Sequence, residues 1–146
     1  MKFKEECGIF GGISFKGDVA PIIQKGLFLL QHRGQESAGI CCGDTDLAIL
    51  KGKGLVMEAL TEKSIQNLKG RSGIGHVRYS TQGESDSVHA QPYMIKYLDE
   101  KVAVAHNGNV QSALQMRKDL EKEGWVFLTS SDTEMILKKV VQVICK

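Results

Sequence analysis

Glu6-Cys7-Gly8-Ile9-Phe10-Gly11-Gly12-Ile13-Ser14 places a cysteine directly before a short run of small and apolar residues. Such a run, bounded by polar residues, reads as a strand over 8–14. Comparable alternating or continuous apolar runs predict strands over 37–42, 47–51, 73–79, 93–98 and 101–106. Three helices fit between and after them. The first covers 19–30, with Asp18 as its cap, Pro21 in its first turn and Ile22, Ile23, Leu27 and Leu30 as its apolar face. The second covers 110–123, with Val110, Ala113, Leu114 and Leu120 on one side and Gly124 as its stop. The third begins at Ser131, where Ser131 and Glu134 form a capping-box pattern ahead of an Ile136, Leu137, Val140, Val141, Ile144 stripe. Long series of strands with few parallel crossovers and one-sided helices imply an α+β fold, in which antiparallel sheets pack together and helices cover them.

The 146 residues suit one domain, and no internal repeat or Pro-rich linker divides them. Apolar residues at 42% and charged residues at 25% are globular proportions and disfavour disorder. A net charge of +2, with Lys and Arg scattered, gives no footprint for nucleic acid. No run reaches the roughly 18 apolar residues of a membrane helix, and Lys2, Lys4, Glu5 and Glu6 exclude a signal-peptide apolar region, so the expected address is cytoplasmic. Cys7, Cys41, Cys42 and Cys145 contain no Cys-x-x-Cys and support neither a zinc site nor a disulfide framework.

Removal of six residues would make Cys7 the first residue. A free α-amine has a pKa of about 7.7 to 8.0, so near neutral pH it can take the thiol proton over a short path. One residue would then supply nucleophile and base together, whereas with Glu6 attached the nitrogen is an amide and no base. Alone, the cysteine reads first as a buried strand thiol.

Further segments bear on that choice. They are Gln31-His32-Arg33-Gly34-Gln35-Glu36-Ser37-Ala38-Gly39-Ile40, Gly75-His76-Val77-Arg78-Tyr79-Ser80-Thr81, His106-Asn107-Gly108-Asn109 and Ser130-Ser131-Asp132-Thr133-Glu134. With the Cys7 segment, in this order and spacing, they resemble the glutaminase domain of the amidophosphoribosyltransferase family of class II glutamine amidotransferases. The resemblance runs along almost the whole chain. Gln35 after His32-Arg33-Gly34 is like this family, whereas its sister amidotransferases usually differ there.

The resemblance implies a four-layer αββα sandwich of the amino-terminal nucleophile hydrolase type, incomplete at its carboxyl end. It implies a cleaved prosegment over 1–6, a truncated glutaminase domain over 7–146, and no phosphoribosyltransferase domain. It implies Cys7 as nucleophile with its own α-amine as base, and Asn107 and Gly108 as the oxyanion hole. Asn-Gly is also a common turn, and the two readings are compatible. Arg78, helped by Thr81, would receive the carboxylate of glutamine, to which a guanidinium fork is matched, and Asp132 its ammonium group. Arg33, expected to brace the nucleophile region, and Tyr79 are supporting candidates. Residues 82–87 are small and polar and read as a mobile loop, which in the family closes over glutamine.

The implied reaction is glutamine hydrolysis to glutamate and ammonia through a γ-glutamyl thioester, the ammonia going to phosphoribosyl pyrophosphate on the missing domain to give 5-phosphoribosylamine. No metal or cofactor is expected in this chain; Mg2+ and, in some family members, an iron-sulfur cluster would come with the missing domain, as would assembly into a homo-oligomer. His76 and His106 lack metal-site spacing and are expected to pack or hydrogen-bond. Lys51-Gly52-Lys53-Gly54 lacks the Ser or Thr and the spacing of a phosphate loop. Two alternatives stay open: an inactive or regulatory module, and a class II amidotransferase with another acceptor.

Overall fold

The computed structural model describes residues 7–79 and 87–144. The prosegment over 1–6, Thr81, residues 82–86 of the expected loop and Cys145 lie outside the described residues. In chain order the elements are β1 (Gly8–Ile13), α1 (Ala20–Leu29), β2 (Ser37–Gly43), β3 (Leu47–Lys53), α2 (Val56–Ala59), α3 (Glu62–Ile65), β4 (Ser72–Arg78), β5 (Tyr93–Tyr97), β6 (Glu100–Val104), α4 (Ala113–Lys122) and α5 (Asp132–Ile144). The first four strands form one sheet in the order β1-β4-β2-β3, and β5 pairs with β6 in a second. Every pairing is antiparallel. The α+β reading therefore describes the chain.

Strand β2 explains how the sheets are covered. All seven of its residues are buried, which a strand achieves only when both faces are packed. Ala38, Ile40 and Cys42 join Val19, Ile23 and Leu27 in a core under α1. The alternate face meets the second sheet, where the Cys41 thiol lies 3.9 Å from the sulfur of Met94. Lys51 of β3 reaches the same side and donates to the Ala90 carbonyl at 2.8 Å. Burial and the neighbouring Cys42 push the Cys41 thiol up to about 11, so it stays a thiol.

Helix α1 crosses β4 at Gly75, where an added Cβ would lie 2.5 Å from Ile23 Cγ2 and 2.8 Å from Leu27 Cδ1. A methyl group there forces the helix off the sheet. Gly75→Ala is expected to cost about 1–3 kcal/mol, the usual range for overpacking a filled core. The midpoint of a urea unfolding curve checks this, and an unshifted midpoint would show that the contact is slack.

Two details of α1 differ from expectation. Asp18 is not its cap: Val19 holds that position without a side-chain bond. The Asp18 carboxylate instead accepts the Gly70 amide at 3.0 Å and pairs with Lys69 at 3.1 Å, and these partners hold its pKa below the ordinary value. Ile22 is 48% exposed, because the inward stripe is set by Ala20, Ile23 and Leu27 and the preceding residue sits about 100° around the helix.

Over the second sheet, Leu137 and Val141 of α5 bury with Tyr93 against Ile95, Val102, Val104 and Trp125. Ile144, expected in this stripe, is exposed at the helix end. Only half of the expected capping box forms. Ser131 Oγ accepts the Thr133 amide at 3.2 Å, but the Glu134 carboxylate turns to the Leu128 and Thr129 amides at 2.9 and 2.7 Å and pairs with Lys138. Burial raises the Glu134 pKa, yet Lys138 and these amides outweigh it and leave it lowered. Helix α4 starts three residues late because Ser112 is left-handed, with φ of 67°. Of its expected face Leu120 is buried and Leu114 exposed. The four-residue helices α2 and α3 are too short to show a period in sequence. Among the described residues, no helix is long and apolar enough to cross a membrane.

Candidate active site

Antiparallel pairing of Gly8 with Val77 sets Cys7 beside the end of β4. Its thiol lies 3.5 Å from the Tyr79 amide nitrogen and 3.7 Å from the Tyr79 carbonyl, half-buried. Tyr79 thus meets the nucleophile candidate through its backbone. Two side chains converge on the Cys7 carbonyl: Arg33 Nε donates to it at 3.2 Å and Asn107 Nδ2 at 2.7 Å. Residues 26 and 100 positions away in sequence therefore meet at one peptide group.

Arg33 projects from a short 3-10 turn, Gln31–Arg33. Gln31 ties that turn down, donating to the Gly34 carbonyl at 2.6 Å and accepting the Val56 amide at 2.6 Å. Its role was not read from sequence, because a glutamine in a polar segment carries no pattern of its own.

A cleft of about 660 Å³ opens beside the thiol, and Cys7, Arg78, Gly108 and Asp132 all line it. Arg78 extends from the end of β4 and faces Glu36 at 3.6 Å, a distance too long for a tight fork. Asp132, in the first turn of α5, accepts the Val110 amide at 3.0 Å through one oxygen, while the other lies 3.7 Å from His106 Nδ1. The cleft thus presents one cation and one anion to a space that also holds a thiol. Gly108 has a φ of 137°, which only glycine adopts readily, and this bends the chain between β6 and α4 around the cleft wall. The Asn107 amide is held at the Cys7 carbonyl.

Behind this wall His76 is fully buried, and neither ring nitrogen has a hydrogen-bond partner, although the His106 backbone lies beside it. Burial pushes its pKa down to about 4 against a smaller upward pull from that backbone, and Arg78 adds to the downward push. The ring is neutral at physiological pH. His106 lines the cleft, and its backbone N–H donates to Gln91 Oε1 at 2.8 Å. Gln91, Glu36 and His89 are site neighbours that sequence reasoning passed over. Among the described residues no group of three or more His, Cys, Asp or Glu side chains could hold a metal ion, and the scattered thiols do not fit a cluster.

The chain is similar to known proteins over most of its length. The glutamine amidotransferase domain profile matches residues 61–143. The amidophosphoribosyltransferase of Archaeoglobus fulgidus is 48% identical over 131 residues, which are 89% of this chain and 29% of that protein. A solved structure described as the allosteric regulatory enzyme of purine biosynthesis superposes with a TM-score of 0.76 at 40% identity, over 89% of this chain and 28% of the other. Glutamine phosphoribosylpyrophosphate amidotransferase from B. subtilis, complexed with ADP and GMP, gives 0.73 at 39% identity, over 89% and 27%. The chain spans under a third of the length of these proteins. With more than half of its residues inside the profile, the chain belongs to the glutamine amidotransferase domain family, and within it resembles the amidophosphoribosyltransferases.

Proposed function

We propose that this chain carries the glutaminase half of an amidophosphoribosyltransferase, the enzyme of the first committed step of purine synthesis. The observation that supports it most is the shared cleft: Cys7, Arg78 and Asp132, a thiol, a cation and an anion, face one cavity. Free glutamine carries a carboxylate, an ammonium and an amide, and each finds its chemical complement there.

In this reading removal of residues 1–6 frees the Cys7 α-amine. That amine takes the thiol proton, and the sulfur attacks the glutamine side-chain carbonyl carbon. The tetrahedral oxyanion receives the Asn107 side-chain amide and the Gly108 backbone N–H. Collapse breaks the C–N bond, the α-ammonium returns its proton to the departing nitrogen, and ammonia leaves a γ-glutamyl thioester. Water, deprotonated by the same amine, then releases glutamate and restores the thiol. Arg78, with Thr81, takes the substrate carboxylate in place of the loosely paired Glu36, and Asp132 takes the ammonium. Arg33 holds the Cys7 carbonyl in position.

The antiparallel sheets, with α1 outside one and α5 outside the other, are consistent with a four-layer αββα sandwich of the amino-terminal nucleophile hydrolase type. In the longer protein the ammonia passes to phosphoribosyl pyrophosphate on a phosphoribosyltransferase part. Mg2+ and any iron-sulfur cluster belong to that part, the assembly is a homo-oligomer, and a biosynthetic role of this kind is cytoplasmic.

Arg78→Ala tests the substrate assignment. Losing charge-assisted hydrogen bonds worth about 1.5–3 kcal/mol raises KM for glutamine by roughly 10- to 100-fold. Glutamate release measured against glutamine concentration checks this, and an unchanged KM would overturn the assignment.

A further inference from the structure

We infer that Gln91 is a positioning residue for the oxyanion hole, one jaw of a clamp whose other jaw is Asp132. The inference rests on the catalytic roles proposed above for Asn107 and Gly108. Both donors sit on the short segment that leaves β6 and precedes α4. That segment has no regular structure to hold it, and its central Gly108 has the least restricted backbone of any residue type. An oxyanion donor is useful only when it is already aimed.

Two side chains fix the segment from outside. At its start the His106 backbone N–H donates to Gln91 Oε1 at 2.8 Å. At its end the Val110 backbone N–H donates to Asp132 Oδ2 at 3.0 Å. Asn107, Gly108 and Asn109 lie between these two anchors. The anchors are themselves rigidly placed: Gln91 is 8% exposed and lies against β2, where its backbone carbonyl occupies the space a Cβ on Gly39 would need. Asp132 is fixed in the first turn of α5. The segment is therefore stretched between the layer at β2 and the helix over the second sheet, and the two donors take their aim from that span.

The clamp also gives Asp132 two separable tasks. Its charge suits the substrate ammonium, while its Oδ2 serves the Val110 amide whatever the charge. Substrate binding at Asp132 and alignment of the oxyanion donors are then coupled through one carboxylate.

The test uses the processed chain, with glutamine hydrolysis followed as glutamate release. Gln91→Leu, which keeps bulk and removes the acceptor, is expected to lower kcat by 10- to 100-fold with KM within about twofold. Gln91→Glu, which keeps an acceptor oxygen, is expected to recover most of that loss. Asp132→Asn is expected to raise KM with kcat largely kept, since an amide oxygen still accepts from Val110, whereas Asp132→Ala loses both. Alkylation of Cys7 by iodoacetamide, which forms no oxyanion, should proceed at the same rate in Gln91→Leu and the parent, and Cys41 and Cys42, buried in β2, should stay unmodified in both, which shows that the variant is folded. A Gln91→Leu chain with normal alkylation and undiminished kcat overturns the clamp. So does equal loss in Gln91→Leu and Gln91→Glu. A parent chain that alkylates at Cys7 yet releases no glutamate contradicts the glutaminase reading instead, and is thereby distinguished from failure of the clamp.

Discussion

Cys7→Ala is expected to abolish glutamine hydrolysis, with a fall in kcat on the order of 10⁴-fold or more, because Cys7 supplies the one thiol among the described residues that line the cleft. Cys41 and Cys42 are buried in β2, and burial raises both thiols, so neither substitutes for the lost nucleophile. The same substitution separates chemistry from binding. A glutamine-analogue electrophile should add one label to the parent chain at Cys7 and none to Cys7→Ala, read by intact mass. Glutamine itself should still bind the variant, since Arg78 and Asp132 are untouched. Labelling of Cys7→Ala at another residue would place the nucleophile elsewhere.

The second large effect belongs to Asn107. Its side-chain amide lies 2.7 Å from the carbonyl of Cys7, the residue that carries the proposed nucleophile. Asn107→Ala is expected to lower kcat by roughly 10²- to 10³-fold, about 2.7 to 4 kcal/mol of transition-state stabilisation, with a much smaller change in KM. The split matters, because a binding residue would show the opposite pattern. Steady-state kinetics on Asn107→Ala and Arg78→Ala side by side should give a fall in kcat in the first and a rise in KM in the second. The assigned roles fail if the two patterns coincide.

Much of this arrangement is legible in the sequence. The six long strands and three long helices follow from apolar runs and from Pro21 and Gly124, because burial on one face leaves a period that survives without coordinates. Cys7, Arg78, Asn107, Gly108 and Asp132 stand out only through the resemblance of four separated motifs, since each alone has an ordinary structural explanation. What the sequence hides is tertiary choice. Asp18 looks like a helix cap, but Gly70 and Lys69 compete for its carboxylate and win. Glu134 looks like half of a capping box, but buried Lys138 and two free amides offer it more. Gln31 and Gln91 are unremarkable in the chain and become anchors only when folding delivers a backbone amide to each.

In the proposed mechanism the sulfur of Cys7 is deprotonated by its own backbone nitrogen once residues 1–6 are gone. The direct measurement pairs intact mass with glutaminase rate on two preparations, one beginning at Cys7 and one in which a single residue still precedes it. Activity confined to the preparation beginning at Cys7 is the expected result. Equal turnover by the chain with its cysteine nitrogen still in a peptide bond would contradict it.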